Sequence, residues 1–274
     1  MPTLLLFAFF FLRAISPVAT SFRPPLIVFD GNSLTAGYTV TRDNAYPAQC
    51  VAQSPTPVVS FNKGLNSATT RALVKRAPAE IDSLFSNDRK WNVVVMWEAS
   101  NALAEGASAK GALAGYKKYA ADRHSKGWKV IMLSVLPRSV GAYGTPAEFE
   151  QKRQEFNHLL RSDHTWLDGF VDIGADPVLG HAGADADKRY YADGVHLTSS
   201  GYAIVARAVT DELARLGVVK MARAAPIIQH PQTQSPALPS RAWAAAGFFM
   251  WPGAKRNAAQ HGPSPWHGRL PPSL

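Results

Sequence analysis

The residues best suited to do chemistry in this chain are one serine near its start and an Asp–His pair far downstream. Asp30-Gly31-Asn32-Ser33-Leu34-Thr35 follows the apolar run Leu26-Ile27-Val28-Phe29, so Ser33 falls where a strand turns into a helix. Asp193-Gly194-Val195-His196-Leu197 places a carboxylate and an imidazole three residues apart. An isolated serine hydroxyl is a weak nucleophile at neutral pH. It attacks a carbonyl when a base takes its proton and an anion orients and stabilises that base. Ser33, His196 and Asp193 have the chemistry for those three tasks. Two further segments offer donors for a developing oxyanion. Gly64, in Asn62-Lys63-Gly64-Leu65-Asn66, has a backbone N–H, and Asn101, after Ser100, has a side-chain amide. Each of these strings alone is ordinary turn vocabulary. Their order, each after its own strand, is what carries weight.

The elements that must position these residues alternate along the chain. Strands are expected at 26–29, 58–61, 93–97, 129–135 and 170–173, as short continuous apolar runs typical of strands buried on both faces. Helices are expected near 44–53, 69–85, 107–126, 146–164 and 199–216, with Thr198 or Ser199 capping the last and Gly127 closing the third. This alternation predicts an α/β fold with a parallel sheet between helical layers, whose ligands bind at the carboxyl ends of the strands.

With those four segments in place, the sequence resembles the SGNH or GDSL hydrolase family, whose four blocks carry a Ser, a Gly, an Asn and a His. The resemblance spans about residues 26–216. It implies a flavodoxin-like three-layer α/β/α sandwich on a five-stranded parallel sheet, and a serine esterase that needs no cofactor and no metal. It further implies Ser33 as nucleophile, His196 as base and Asp193 as its orienting acid, with Ser33, Gly64 and Asn101 forming the oxyanion hole. Two positions depart from the family's pattern. Asn32 stands where the first block has an acid, and Ala99-Ser100-Asn101-Ala102 keeps only the asparagine of Gly-x-Asn-Asp. Both departures bear on the shape of the oxyanion loop.

At 274 residues, with 46% hydrophobic and 18% charged residues, the chain suits one well-buried globular domain. The net charge of +9 does not mark a nucleic-acid binder. Six of those charges follow Gly217, where no acidic residue occurs, and the body has no basic stripe interleaved with aromatics. The single cysteine, Cys50, excludes an internal disulfide and every multi-cysteine metal motif, and reads as a packing residue. His124, His158, His164 and His181 lack metal-ligand spacing.

Three segments follow from composition. Residues 1–21 contain an apolar run at 4–12, too short to span a bilayer, that fits the core of a secretory signal peptide, and this favours a secreted or periplasmic protein over a cytoplasmic one. By the resemblance, residues 22–217 are expected to form the hydrolase domain. Residues 218–274, rich in Pro and Ala and basic, read as a disordered extension.

With no long insertion between strands, an open, shallow cleft is expected, and the substrate is a small or glycan-borne ester such as an O-acetyl group. The competing readings are a lysophospholipase or thioesterase, and a catalytically silent binding domain of the same fold. Tyr38, Trp97, Arg138, Tyr143, Tyr190 and Tyr191 fall near the expected site, as substrate contacts or as cover for the strand ends. Oligomeric state is left open.

Overall fold

A computed structural model of the chain describes residues 23–220. The expected signal segment at 1–21 and the extension from 221 onward lie outside the described residues.

Five strands, β1 (Leu26–Gly31), β2 (Val59–Gly64), β3 (Asn92–Trp97), β4 (Lys129–Leu133) and β5 (Gly169–Val171), form one parallel sheet in the order β2-β1-β3-β4-β5. β-branched and aromatic residues alternate between its two faces. On one, Ile27, Phe29, Val93, Val95 and Trp97 pack on helices α2 (Tyr46–Gln53) and α7 (Ser199–Arg215) through Tyr46, Cys50, Tyr202 and Val205. On the other, Leu26, Val28, Val94 and Met96 pack on α3 (Thr70–Glu80), α5 (Ala109–His124) and α6 (Pro146–Ser162) through Leu73, Tyr116 and Phe156. Covering both faces lets β1, β3 and β4 carry continuous apolar runs, Leu26–Phe29, Val93–Trp97 and Val130–Leu133. The edge strand β2 instead exposes Ser60 and Phe61. Cys50 is buried, and burial pushes its thiol up to about 12, so it packs as a small apolar group.

Local signals account for the helix ends. Thr145 and Glu148 form a reciprocal capping box on α6, Ser108 caps α5, and Thr198 caps α7. Gly127 takes the left-handed conformation (φ 95°) just past α5. The expected helix at 69–85 is shorter. It ends at Glu80, soon after Pro78, and a separate 3-10 turn, Asp82–Leu84, follows. Two one-turn helices, α1 (Ser33–Ala36) and α4 (Ser100–Ala104), were beyond what apolar periodicity can register. The domain also continues past the expected boundary at 217. Val218 and Val219 are buried in the core, and the Lys220 N–H donates to Thr56 Oγ1 at 2.8 Å.

The register aligns the strand ends that matter. Gly31 pairs with Gly64 on one side and with Trp97 on the other. The segments after β1, β2 and β3 therefore leave the sheet at one level, around the point where strand order reverses. Crevices in such sheets form there.

Candidate active site

Ser33 opens α1 directly at the carboxyl end of β1. Asn32 holds that turn, its side chain accepting the Leu34 N–H at 2.9 Å. The acid expected at this position is therefore replaced by a residue that still caps the helix. Gly31 permits the close approach, because a Cβ there would overlap Thr35 Oγ1 and the Trp97 carbonyl. The result presents Ser33, 9% exposed, to a cleft.

Across the cleft, Asp193 and His196 lie on a tight turn that Gly194 allows with φ 87°. Asp193 Oδ1 accepts the backbone N–H groups of Val195 (3.0 Å) and His196 (2.8 Å), leaving Oδ2 to meet His196 Nδ1 at 2.7 Å. Burial raises the Asp193 pKa, but the His196 and Val195 donors outweigh it and hold the carboxyl below its ordinary value. His196 Nε2 lies 2.8 Å from Ser33 Oγ. With Nδ1 protonated toward the carboxylate, Nε2 is free to accept the serine hydroxyl. The Tyr38 ring, 61% exposed, packs on the imidazole at 4.8 Å between centroids. The structure thus brings together Ser33, His196 and Asp193.

Asn101 lines the same cleft, on α4. Its Nδ2 donates to the Ala68 carbonyl at 3.0 Å, which leaves a second N–H on that nitrogen, while its Oδ1 accepts from Arg138 Nη1 at 3.1 Å. The arginine fixes which end of the amide faces the cleft.

Gly64 is not brought to the cleft, and the expectation that it donates to the oxyanion is corrected. Its N–H is engaged by Asn62 Oδ1 at 2.9 Å, and Asn62 Nδ2 in turn donates to the Thr35 carbonyl at 2.9 Å. A Cβ on Gly64 would overlap the Thr35–Ala36 backbone, so this glycine lets the serine-bearing turn lie against β2. From this loop Asn66 and Ser67 reach the cleft, and Ser67 is the one with an unusual backbone. Ser67 has φ 61°, and its N–H has no acceptor among the described residues. Sequence reasoning missed it because a serine hides a backbone position that normally selects glycine. The available signal was its place three residues past Gly64 in the same loop.

A profile of the GDSL-like lipase/acylhydrolase family matches residues 29–204. The chain belongs to that family, and it is an ester-hydrolysing serine hydrolase. A search of curated protein sequences finds no match. Among solved structures the GDSL-like hydrolase is similar to a lipase/acylhydrolase from Enterococcus faecalis, with 20% identity over 73% of this chain and 100% of that one, at a TM-score of 0.54. It is similar also to the esterase EstA from Pseudoalteromonas sp. (10% identity, 69% and 97% covered, TM-score 0.52). A GDSL-like lipase from Bacteroides thetaiotaomicron matches at 19% identity, with 69% and 88% covered and a TM-score of 0.53. At these identities the likeness is one of fold.

The altered third block of this GDSL-like hydrolase has a structural answer. Ala99 sits at φ 58°, a conformation glycine would take without strain. Ala102 offers no carboxylate, but Glu98, buried just before α4, does. Glu98 Oε1 accepts the N–H groups of Asn101 (2.9 Å) and Ala102 (3.2 Å), and Oε2 accepts the Thr70 hydroxyl. Ser67 and Ala99 are the two non-glycine residues with positive φ among the described residues; Ser67 lines the cleft, and Ala99 lies two residues before Asn101, which lines it too. Backbone strain concentrated there is typical of a functional loop.

The remaining expectations fall away from the cleft or at its edge. Trp97 and Tyr191 are buried, donating to the Ser134 and Leu179 carbonyls, so they cover strand ends. Tyr143 is exposed and Tyr190 partly buried; neither lines the cleft. Among the described residues no helix is long and apolar enough to cross a membrane, and no cluster of three or more His, Cys, Asp or Glu could hold a metal ion.

Proposed function

We propose that this hydrolase cleaves short-chain carboxylic esters, O-acetyl groups on carbohydrate among them, through a Ser33–His196–Asp193 triad and an acyl-enzyme. The supporting observation is the unbroken relay from Ser33 Oγ to His196 Nε2 (2.8 Å) and from Nδ1 to Asp193 (2.7 Å). Ser33 Oγ attacks the ester carbonyl as its proton passes to Nε2, and Asp193 stabilises the imidazolium. The oxyanion is held by the amides of Ser33 and Ser67 and by Asn101 Nδ2, each such donor contributing about 3 kcal/mol to the transition state. His196 then protonates the leaving alcohol. A water molecule, deprotonated by the same nitrogen, attacks the acyl carbonyl, and collapse of the second tetrahedral intermediate returns the proton to Ser33.

The short-chain reading is supported by the cleft's size and lining. It has a volume of about 290 Å³ and is bounded by Ser33, Asn66, Ser67, Asn101, Arg138 and His196, with Tyr38 and Val195 as its apolar contribution. A long acyl chain needs an apolar groove that this lining lacks. Hydrolysis of p-nitrophenyl esters from C2 to C12 tests this. The expected result is a maximum at C2–C4, absent in Ser33→Ala. A maximum at C10 or beyond would point to the lysophospholipase or thioesterase alternative. The apolar run at 4–12 supports export, which sequencing the N-terminus of the mature protein checks.

A further inference from the structure

Arg138 is held at the cleft wall with its charge unanswered. Its three acceptors are all neutral: the Val140 carbonyl from Nε (2.9 Å), the Gly141 carbonyl from Nη2 (2.9 Å) and Asn101 Oδ1 from Nη1 (3.1 Å). A guanidinium carries five N–H groups, so two remain unused. The guanidinium also lies over the Phe149 ring, 5.8 Å from its centroid. The loop is shaped around it: Gly141 takes φ 65°, and a Cβ there would come within 2.8 Å of Nη2. The next residue ties this loop to the Asp–His turn, Ser139 N–H donating to the Gly194 carbonyl at 3.4 Å.

Such an arrangement is costly without a counterion. Half-burying a cation opposite neutral oxygens loses hydration that no ion pair restores. Burial lowers the guanidinium's pKa, and the nearby Asp193 and Glu98 oppose that shift. Both carboxylates are otherwise committed, Asp193 to His196 and Glu98 to α4 and Thr70. The other cleft-lining side chains carry no fixed charge. An anion entering beside Ser33 therefore meets one preformed, rigid cationic partner, of the kind that pairs with a planar carboxylate through two N–H groups.

We propose that Arg138 is a specificity-determining residue that binds a carboxylate carried by the ester substrate. The inference rests on the esterase reading above. The carboxylate has two possible sources, the acyl group (a hemiester of a dicarboxylic acid) and the alcohol (an O-acylated acid sugar or similar).

Two matched pairs separate them. On the acyl side, p-nitrophenyl hemisuccinate is compared with p-nitrophenyl butyrate; on the alcohol side, 4-acetoxybenzoate with 4-acetoxybenzamide. The expected result is a kcat/KM ratio of charged to neutral ester of about 10- to 100-fold in one pair, the range of a hydrogen bond between charged groups. In Arg138→Met that ratio falls to about one or below, and in Arg138→Lys part of it returns. Because Arg138 also orients Asn101, absolute rates fall in both variants, but loss of that role alone lowers both members of a pair equally and leaves the ratio intact. A ratio near one in both pairs, or a preference that survives Arg138→Met, would overturn the proposal. Calorimetric binding of the same 4-acetoxybenzoate and 4-acetoxybenzamide pair, and of succinate, to the full chain carrying Ser33→Ala reads the same preference without turnover. Ser33-dependent hydrolysis of p-nitrophenyl acetate reports separately on the esterase reading.

Discussion

The buried carboxylate of Glu98 accepts the backbone N–H of Asn101 at 2.9 Å, at the N-terminal end of α4. It supplies from before the helix the anion that Ala102 cannot supply from within it. Burial raises the Glu98 pKa, opposed by donors from Thr70, Ala99, Ala102 and Asn101. Glu98→Ala leaves two backbone N–H groups and a hydroxyl unpartnered, so it should lower stability by about 2–4 kcal/mol and kcat by about tenfold. Glu98→Gln keeps an acceptor for α4 and a donor for Thr70, and should cost less than half as much. Urea unfolding and steady-state kinetics on both variants check the order; equal losses would show that Glu98 only fills space.

The positive φ angles at Ser67 and Ala99 set a second expectation. A buried Ala→Gly change ordinarily costs about 1 kcal/mol through chain entropy and lost packing. At Ala99, relief of the positive φ offsets that cost, and at Ser67 it does the same. Ala99→Gly and Ser67→Gly should therefore both lie within about 1 kcal/mol of wild type, on either side, and keep at least half its activity. Gly64→Ala, whose amide serves Asn62, should instead lower stability and activity together by pushing the serine-bearing turn off β2. A Gly64→Ala protein of full stability would contradict the packing role assigned to that glycine.

These positions also show what could and could not be read from the residues in order. β1, β3 and β4 were legible because burial on both faces leaves an unbroken apolar run, α6 and α7 because of their apolar periodicity, and α5 because Gly127 marks its end. Ser33, Asp193, His196 and Asn101 were legible because acyl-transfer chemistry narrows the residue types to a few. Ser67 was not, since its candidate contribution is a backbone N–H that any residue carries. Gly64 misled for the complementary reason. Its glycine was required by a close approach of two backbones, which in sequence looks the same as a glycine required for donation.

The Asp193–His196 pair predicts a separation of rate from stability. Asp193→Asn can keep the two backbone N–H bonds through its side-chain oxygen but turns an amide N–H toward Nδ1, favouring the wrong tautomer. kcat should fall about 10²- to 10⁴-fold with a melting temperature within a few degrees of wild type. Because Asp193 is held below its ordinary pKa, the folded protein keeps it ionised where the unfolded chain begins to protonate, so its stabilisation is present at neutral pH and fades only in acid. An acidic limb in the pH–kcat profile should thus survive in Asp193→Asn; its disappearance would assign that limb to Asp193.

Asp30 carries the reverse sign. It is fully buried beside Arg76 and Tyr119, and burial outweighs both partners, pushing its pKa up to about 6. The folded state therefore holds a proton that the unfolded chain releases near 3.8. Stability from this group is present below that value and is lost as the pH rises through about 6, a change of about 3 kcal/mol. The unfolding free energy of wild type minus that of Asp30→Asn, measured from about pH 4 to pH 7, should shrink as pH rises. A difference that grows with pH would mean that the Arg76 pair, not burial, governs Asp30.

Whether Ser33 is a nucleophile activated by His196 is read out by a fluorophosphonate probe followed by peptide mass spectrometry. A single covalent adduct is expected on the peptide containing Ser33, abolished in Ser33→Ala and slowed by at least about 100-fold in His196→Ala. An unlabelled wild-type protein, or an adduct that persists in Ser33→Ala, would contradict it.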